Sequence, residues 1–192
     1  MLRIKTSRIT QLVFGLFLIL NVVILNSQAY ATTIDELKFD KYVNDYANVI
    51  DDGVELELNN ELYNLAASNT SQVIILTVPD MSGDYIEHYA VKAFEKAKPG
   101  NSESDNGILI IAAIKERAVR IEVGYGLEPI VTDGLSANII NNIITPNFKS
   151  GDYTRGLRSA AEAIVQVINA NADDPIIQNS AATQPGALKT FL

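Results

Sequence analysis

Four segments of the chain carry apolar residues at the 3.6-residue repeat of a half-buried helix. In the first, Leu58, Leu62, Leu65 and Ala66 share one face. It follows Asp52-Gly53-Val54-Glu55, which has the spacing of an N-cap acid and its N3 glutamate, and it should stop near Asn69. Ile86, Tyr89, Ala90, Ala93 and Phe94 mark a second helix, capped by Ser82 or Asp84 and ended by Lys98-Pro99-Gly100. Ile139, Ile140, Ile143 and Ile144 belong to a third, capped by Thr132 or Asp133 and closed by Pro146. Leu157, Ala161, Ile164, Val165 and Ile168 line a fourth that starts at Asp152 or Thr154.

Between these helices lie patterns of a different period. Val73 to Val78 is a β-branched apolar run stopped by Pro79, and Ile108 to Ile114 is apolar throughout. Both predict strands buried on two faces. Ala118 to Val123 alternates, with Val119, Ile121 and Val123 on one side and Arg120 and Glu122 on the other. Only Lys115-Glu116-Arg117 separates it from the preceding strand, so the two predict an antiparallel hairpin. Val73 to Ile114 predicts a strand-helix-strand crossover. A further short strand is expected within Phe39 to Ala47. Together these elements predict an α/β fold, a three-layer α-β-α sandwich around a mixed sheet of about four strands.

The first thirty-one residues follow another logic. Arg3, Lys5 and Arg8 precede an apolar run from Leu12 to Leu25, and Ala29-Tyr30-Ala31 supplies an A-x-A cleavage signal. This is the three-part pattern of a secretory signal peptide. The run is short for a bilayer core of about 30 Å, though an uncleaved inner-membrane anchor is the alternative. The expected organisation is a leader over 1–31, a domain over 32–171 and a weakly ordered tail over 172–192, in a periplasmic or secreted protein. No apolar run after Ile168 exceeds two residues, so no membrane span is expected in the mature chain.

Composition narrows the chemistry. The 192 residues include no Cys and a single His, which excludes thiolate nucleophiles, disulfides, Cys-ligated zinc and multi-histidine metal sites. The formal charge is −8, and loss of the three basic leader residues with no acidic one takes it to −11. So acidic a domain disfavours nucleic acid and anionic lipid as partners. With oxygen ligands plentiful and nitrogen and sulfur ligands scarce, any metal should be a hard one, calcium or magnesium. The candidates sit at the edges of predicted strands: Asp45, Asp105, Asn106, Glu122 and Asp133. Each alone has a structural explanation, as a helix cap, a turn or a solvated strand residue. Gly124-Tyr125-Gly126 matches neither phosphate-loop pattern, and no G-x-S-x-G nucleophile elbow is present.

In order along the chain stand Asp45-Tyr46-Ala47, Asp105-Asn106-Gly107-Ile108-Leu109-Ile110, Arg117, Arg120-Ile121-Glu122-Val123-Gly124-Tyr125-Gly126-Leu127-Glu128 and Thr132-Asp133. This series resembles the TPM-domain family, which includes exported bacterial proteins of the YgcG type and thylakoid-lumen proteins of photosystem II repair. The resemblance covers about Tyr42 to Asn169. It implies an α-β-α sandwich outside the cytoplasm, with calcium in an acidic pocket of some members and a proposed acid phosphatase activity. By carry-over, Asp45, Asp105, Asn106, Glu122 and Asp133 match the motif acids and amide, and Arg117 matches the basic residue of the turn. Glu116 departs from the pattern, since an Asp often stands there. Two functions are therefore expected to compete. One is a calcium-binding interaction domain that assists an envelope or membrane protein complex. The other is a metal-assisted phosphatase, with Arg117 or Arg120 holding phosphate unless they serve only as ion pairs.

Overall fold

The computed structural model describes residues 32–171 except Thr70. The leader and the tail predicted over 1–31 and 172–192 lie outside the described residues. The described residues fall within one compact unit. Its elements are a 3₁₀ turn (Ile34–Glu36), β1 (Val43–Asp45), α1 (Asp52–Asn69), β2 (Gln72–Val78), α2 (Ile86–Ala97), β3 (Gly107–Ala113), β4 (Ala118–Val123), α3 (Asp133–Ile139), a π-helical segment (Ile140–Ile144), α4 (Thr145–Lys149) and α5 (Tyr153–Ala170).

The strands form one sheet in the order β1-β2-β3-β4. β1, β2 and β3 run parallel, and β4 returns antiparallel to β3. Every residue of β2 and β3 is buried, as their unbroken apolar runs require. β1 and β4 form the edges. Helix α1 packs on β1 and β2 and lies beside α5, which in turn meets the π segment and α4. Helix α2 packs on β3, β4 and the 3₁₀ turn. The result is the three-layer α-β-α sandwich.

The core faces are those the periodicity marks. Leu58, Leu62 and Leu65 of α1 are buried, as are Tyr89, Ala90 and Ala93 of α2 and Leu157, Ala161, Ile164 and Ile168 of α5. Each large aliphatic side chain taken from water adds roughly 1.5–3 kcal/mol. A half-buried amide ties two layers together. The Asn59 side-chain oxygen on α1 accepts the N–H groups of Tyr42 and Val43, both at 3.0 Å, which fixes α1 against the start of β1.

The helix ends differ from the sequence reading in three places. Neither Ser82 nor Asp84 caps α2: Tyr85 is the N-cap residue and makes no side-chain cap bond. Asp84 instead turns its carboxylate to His88 one turn into the helix, at 2.8 Å, and accepts the Tyr85 N–H. That imidazole beside it lowers the Asp84 pKa. Asp52 lies inside the first turn of α1, and the carbonyl of Asp51 takes the Glu55 N–H. Pro146 does not close the third helix, whose path continues to Lys149. Just before the proline the helix widens to a π turn, with the Thr145 N–H reaching the Ile140 carbonyl five residues back. A proline is tolerated there, at the first turn of α4, because its missing N–H is not demanded by a regular α-helical ladder.

Candidate functional site

The ladder register places each motif residue at one end of the sheet or the other. Asp45 pairs with Thr77, and Thr77 with Ala112. Asp45 is therefore level with the carboxyl end of β3. Asp105 and Asn106 precede Gly107, at the opposite end of that strand. Five residues, 107–111, lie between Asn106 and the level of Asp45, about 20 Å at about 3.3 Å per residue. Glu122 pairs with Leu109 and so lies toward the Asp105 end, and Asp133 follows the loop that leaves β4 there. Asp105, Asn106 and Glu122 thus share the amino end of the parallel strands, Asp45 stands apart, and Asp133 opens α3 ten residues beyond the end of β4.

At the carboxyl end Asp45 organises a loop. One carboxylate oxygen accepts the Thr77 hydroxyl, and the other accepts the Ile50 N–H at 2.8 Å. Thr77 is fully buried and also accepts the Ala47 N–H at 3.1 Å. The same end holds a group that the sequence reading missed. Asp80 is buried to 5 % exposure and accepts the Lys115 ammonium and the Ser82 N–H. Lys115 beside it holds its carboxyl below the ordinary value. Glu116 accepts the Met81 N–H at 3.3 Å, while its Oε2 is buried with no hydrogen-bond partner among the described residues. Pro79 reads only as the end of a strand in the sequence, and nothing local shows that Lys115, thirty-five residues beyond Asp80, closes over that carboxylate.

Arg117 ends the β3–β4 turn at this same end, exposed and at φ 53. A bulky residue there carries a steric cost that glycine avoids. Arg117→Gly is therefore expected to raise stability by about 0.5–1 kcal/mol in urea unfolding. A gain in stability with impaired binding would mark the strained arginine as held for function. No gain would mean that the turn is already relaxed around it.

At the amino end two loops interlock. The turn Gly124-Tyr125-Gly126 lies on the backbone of Ser104 and Asp105, with the Gly126 N–H donating to the Asp105 carbonyl at 3.0 Å and the Gly124 N–H to Gly107 at 2.8 Å. A Cβ on Gly124 would come within 2.9 Å of the Asp105 carbonyl carbon, and one on Gly126 within 3.1 Å of that of Ser104. Only glycine permits this approach. Asn106 is fully buried, and its side-chain oxygen accepts the Asn101 N–H at 2.8 Å, closing the 101–106 loop on itself. Glu103 and Asp105 are exposed on the first loop, Glu128 just after the second and Asp133 at the start of α3, and no Lys or Arg occurs over 99–114 or 121–148. Arg120 is engaged by Glu122, whose carboxylate raises the guanidinium pKa against the effect of burial, with Glu87 and Asp133 adding to it. Arg120 is thus an ion-pair residue, and Arg117 lies at the other end of β4 from Asp105. Among the described residues no three Asp, Glu or His side chains converge closely enough to hold a metal ion as they stand. No described helix is long and apolar enough to cross a membrane.

Three solved structures share this architecture. The N-terminal domain of a P. gingivalis protein superposes with a TM-score of 0.69 at 27 % identity, over 75 % of this chain and 96 % of that one. The BA42 protein of Bizionia argentinensis gives 0.54 at 19 %, over 63 % and 82 %. The N-terminal domain of the cg2496 protein of Corynebacterium glutamicum gives 0.53 at 17 %, over 71 % and 86 %. No curated protein matches the sequence. The family model described as the TPM domain matches residues 43–167, from the first residue of β1 to the last turn of α5, and the chain belongs to that family.

Proposed function

We propose that this is an exported, calcium-binding interaction domain whose working face is the pair of interlocked loops at the amino end of the parallel strands. The observation that carries this reading is the seating of Gly124-Tyr125-Gly126 on the Ser104 and Asp105 carbonyls. It joins two acidic loops, neither of which contains a Lys or Arg, into one surface on a rigid sheet. A calcium ion would draw Asp105 and Asp133 inward, with Glu122, loop carbonyls and water completing an oxygen shell. Asn106 would contribute by holding its loop in shape. The charged face then suits a basic patch on an envelope or membrane protein, with the ion setting its local charge. Export agrees with how the domain begins: cleavage after Ala31 would leave Thr32 first, with its nitrogen on the Asp80 carbonyl at 3.1 Å and its carbonyl held by the Tyr89 hydroxyl at 2.7 Å.

Calcium at about 10 mM, set against chelator, is expected to raise the thermal midpoint of the chain from Thr32 by about 3–10 °C, the effect of a millimolar-range extracellular site. Asp105→Asn should abolish most of the rise while leaving the apo midpoint close to unchanged. An identical midpoint with and without calcium would overturn the calcium assignment.

A further inference from the structure

β4 is an edge strand, and its free edge is self-complementary. The Gly124 N–H bonds to the Gly107 carbonyl, which sets the phase of the β3–β4 ladder. Residues of an antiparallel ladder alternate in the direction of their backbone groups. Ala118, Arg120 and Glu122 therefore turn their N–H and C=O groups toward β3, and Val119, Ile121 and Val123 turn theirs outward. Among the described residues β4 has no second strand neighbour, and no turn, loop or cap hydrogen bond reaches those three outward residues.

We infer that this edge pairs with the same edge of a second copy, antiparallel and centred on Ile121. In that register Ile121 exchanges both hydrogen bonds with the partner's Ile121, and Val119 and Val123 do so crosswise. Every outward backbone group of the strand is then paired. The charges select the register. Centred on Ile121, Arg120 stands directly across from the partner's Glu122, and Glu122 from the partner's Arg120. These are non-hydrogen-bonded positions, where Cα atoms approach to about 4.5 Å. Moving the two-fold axis by one residue either way sets arginine against arginine or glutamate against glutamate, which is unfavourable across strands. Charged residues on an edge usually discourage pairing. Here an Arg and a Glu two apart, already joined within the strand, discourage the two registers next to the one centred on Ile121. Two four-stranded sheets would merge into one of eight strands about a two-fold axis, a size open sheets reach. The contact is short, so the association is weak and reversible.

Sedimentation velocity on the chain from Thr32 to Leu192, from about 10 µM to about 1 mM at physiological salt, tests this. A concentration-dependent dimer is expected. Arg120→Glu, which creates two like-charge pairs, should weaken it about tenfold or more. Adding Glu122→Arg to that variant should restore it, and the far-UV circular dichroism of both variants should match the parent. A chain that stays monomeric at 1 mM overturns the proposal, as does a dimer indifferent to Arg120→Glu. A dimer that forms only once residues 172–192 are removed would make that segment the occupant of the edge and overturn it equally.

Discussion

Gly126→Ala is expected to lower the thermal midpoint by about 10 °C, equivalent to about 3 kcal/mol in a domain of this size. The added methyl lands on the Ser104 carbonyl oxygen, which is backbone and cannot rotate away. Ser104 itself is held by the hydrogen bond from its N–H to the Asn101 carbonyl, and Asp105 by the bond it accepts from Gly126. Relief requires the 101–106 loop and the 124–126 turn to part, which breaks that last bond. The same motion separates the two acidic loops, so the calcium-dependent rise should shrink along with the stability. Differential scanning calorimetry with and without calcium reads both. A midpoint within about 2 °C of the parent would show that the loops are not locked together, and the case for one shared acidic face would go with it.

Thr77→Val is the second large effect. The two side chains have nearly the same shape, so packing in β2 is kept, but a fully buried hydroxyl is removed. The Ala47 N–H loses its acceptor and one Asp45 carboxylate oxygen loses its donor. Leaving two such groups unpaired costs about 2–3 kcal/mol, more than the loss of one typical hydrogen bond. Urea unfolding should show a lower midpoint with an unchanged slope. Asp45→Ala should cost a similar amount, and the double variant clearly less than the sum, because both substitutions break one network. Strict additivity would mean that Asp45 serves something other than the Thr77 contact.

These two positions show what could be read in advance. Gly124 and Gly126 stand out in the sequence as a sharp break after an alternating strand, and the close approach of backbone is a reading that glycine invites. Which backbone approaches was not legible, because Ser104 and Asp105 are some twenty residues away and meet the turn only through the β3–β4 hairpin. Asp45 looked equivalent to Asp105, Glu122 and Asp133, since all four are acids at strand edges. The ladder register separates it from Asp105 and Glu122. Thr77 gave no signal at all: inside an apolar run it reads as one more β-branched residue. Pro146 misled for a related reason, because a proline ends a regular helix but not one that widens to a π turn just before it.

What the sequence by itself determined is local and periodic. Apolar spacing of 3.6 and 2 placed the four helical segments and the strands and chose the faces that enter the core, since burial of those faces is the dominant favourable term in folding. The absence of Cys and the single His confined any metal chemistry to hard cations. The tertiary structure alone decided which distant residues stand level. Strand register put Asp45 with Thr77 and left Asp105, Asn106 and Glu122 toward the far end. Ladder phase turned Val119, Ile121 and Val123 outward. Both follow from hydrogen bonding between strands, where a shift of one residue reverses every side chain without altering the composition or period of either strand.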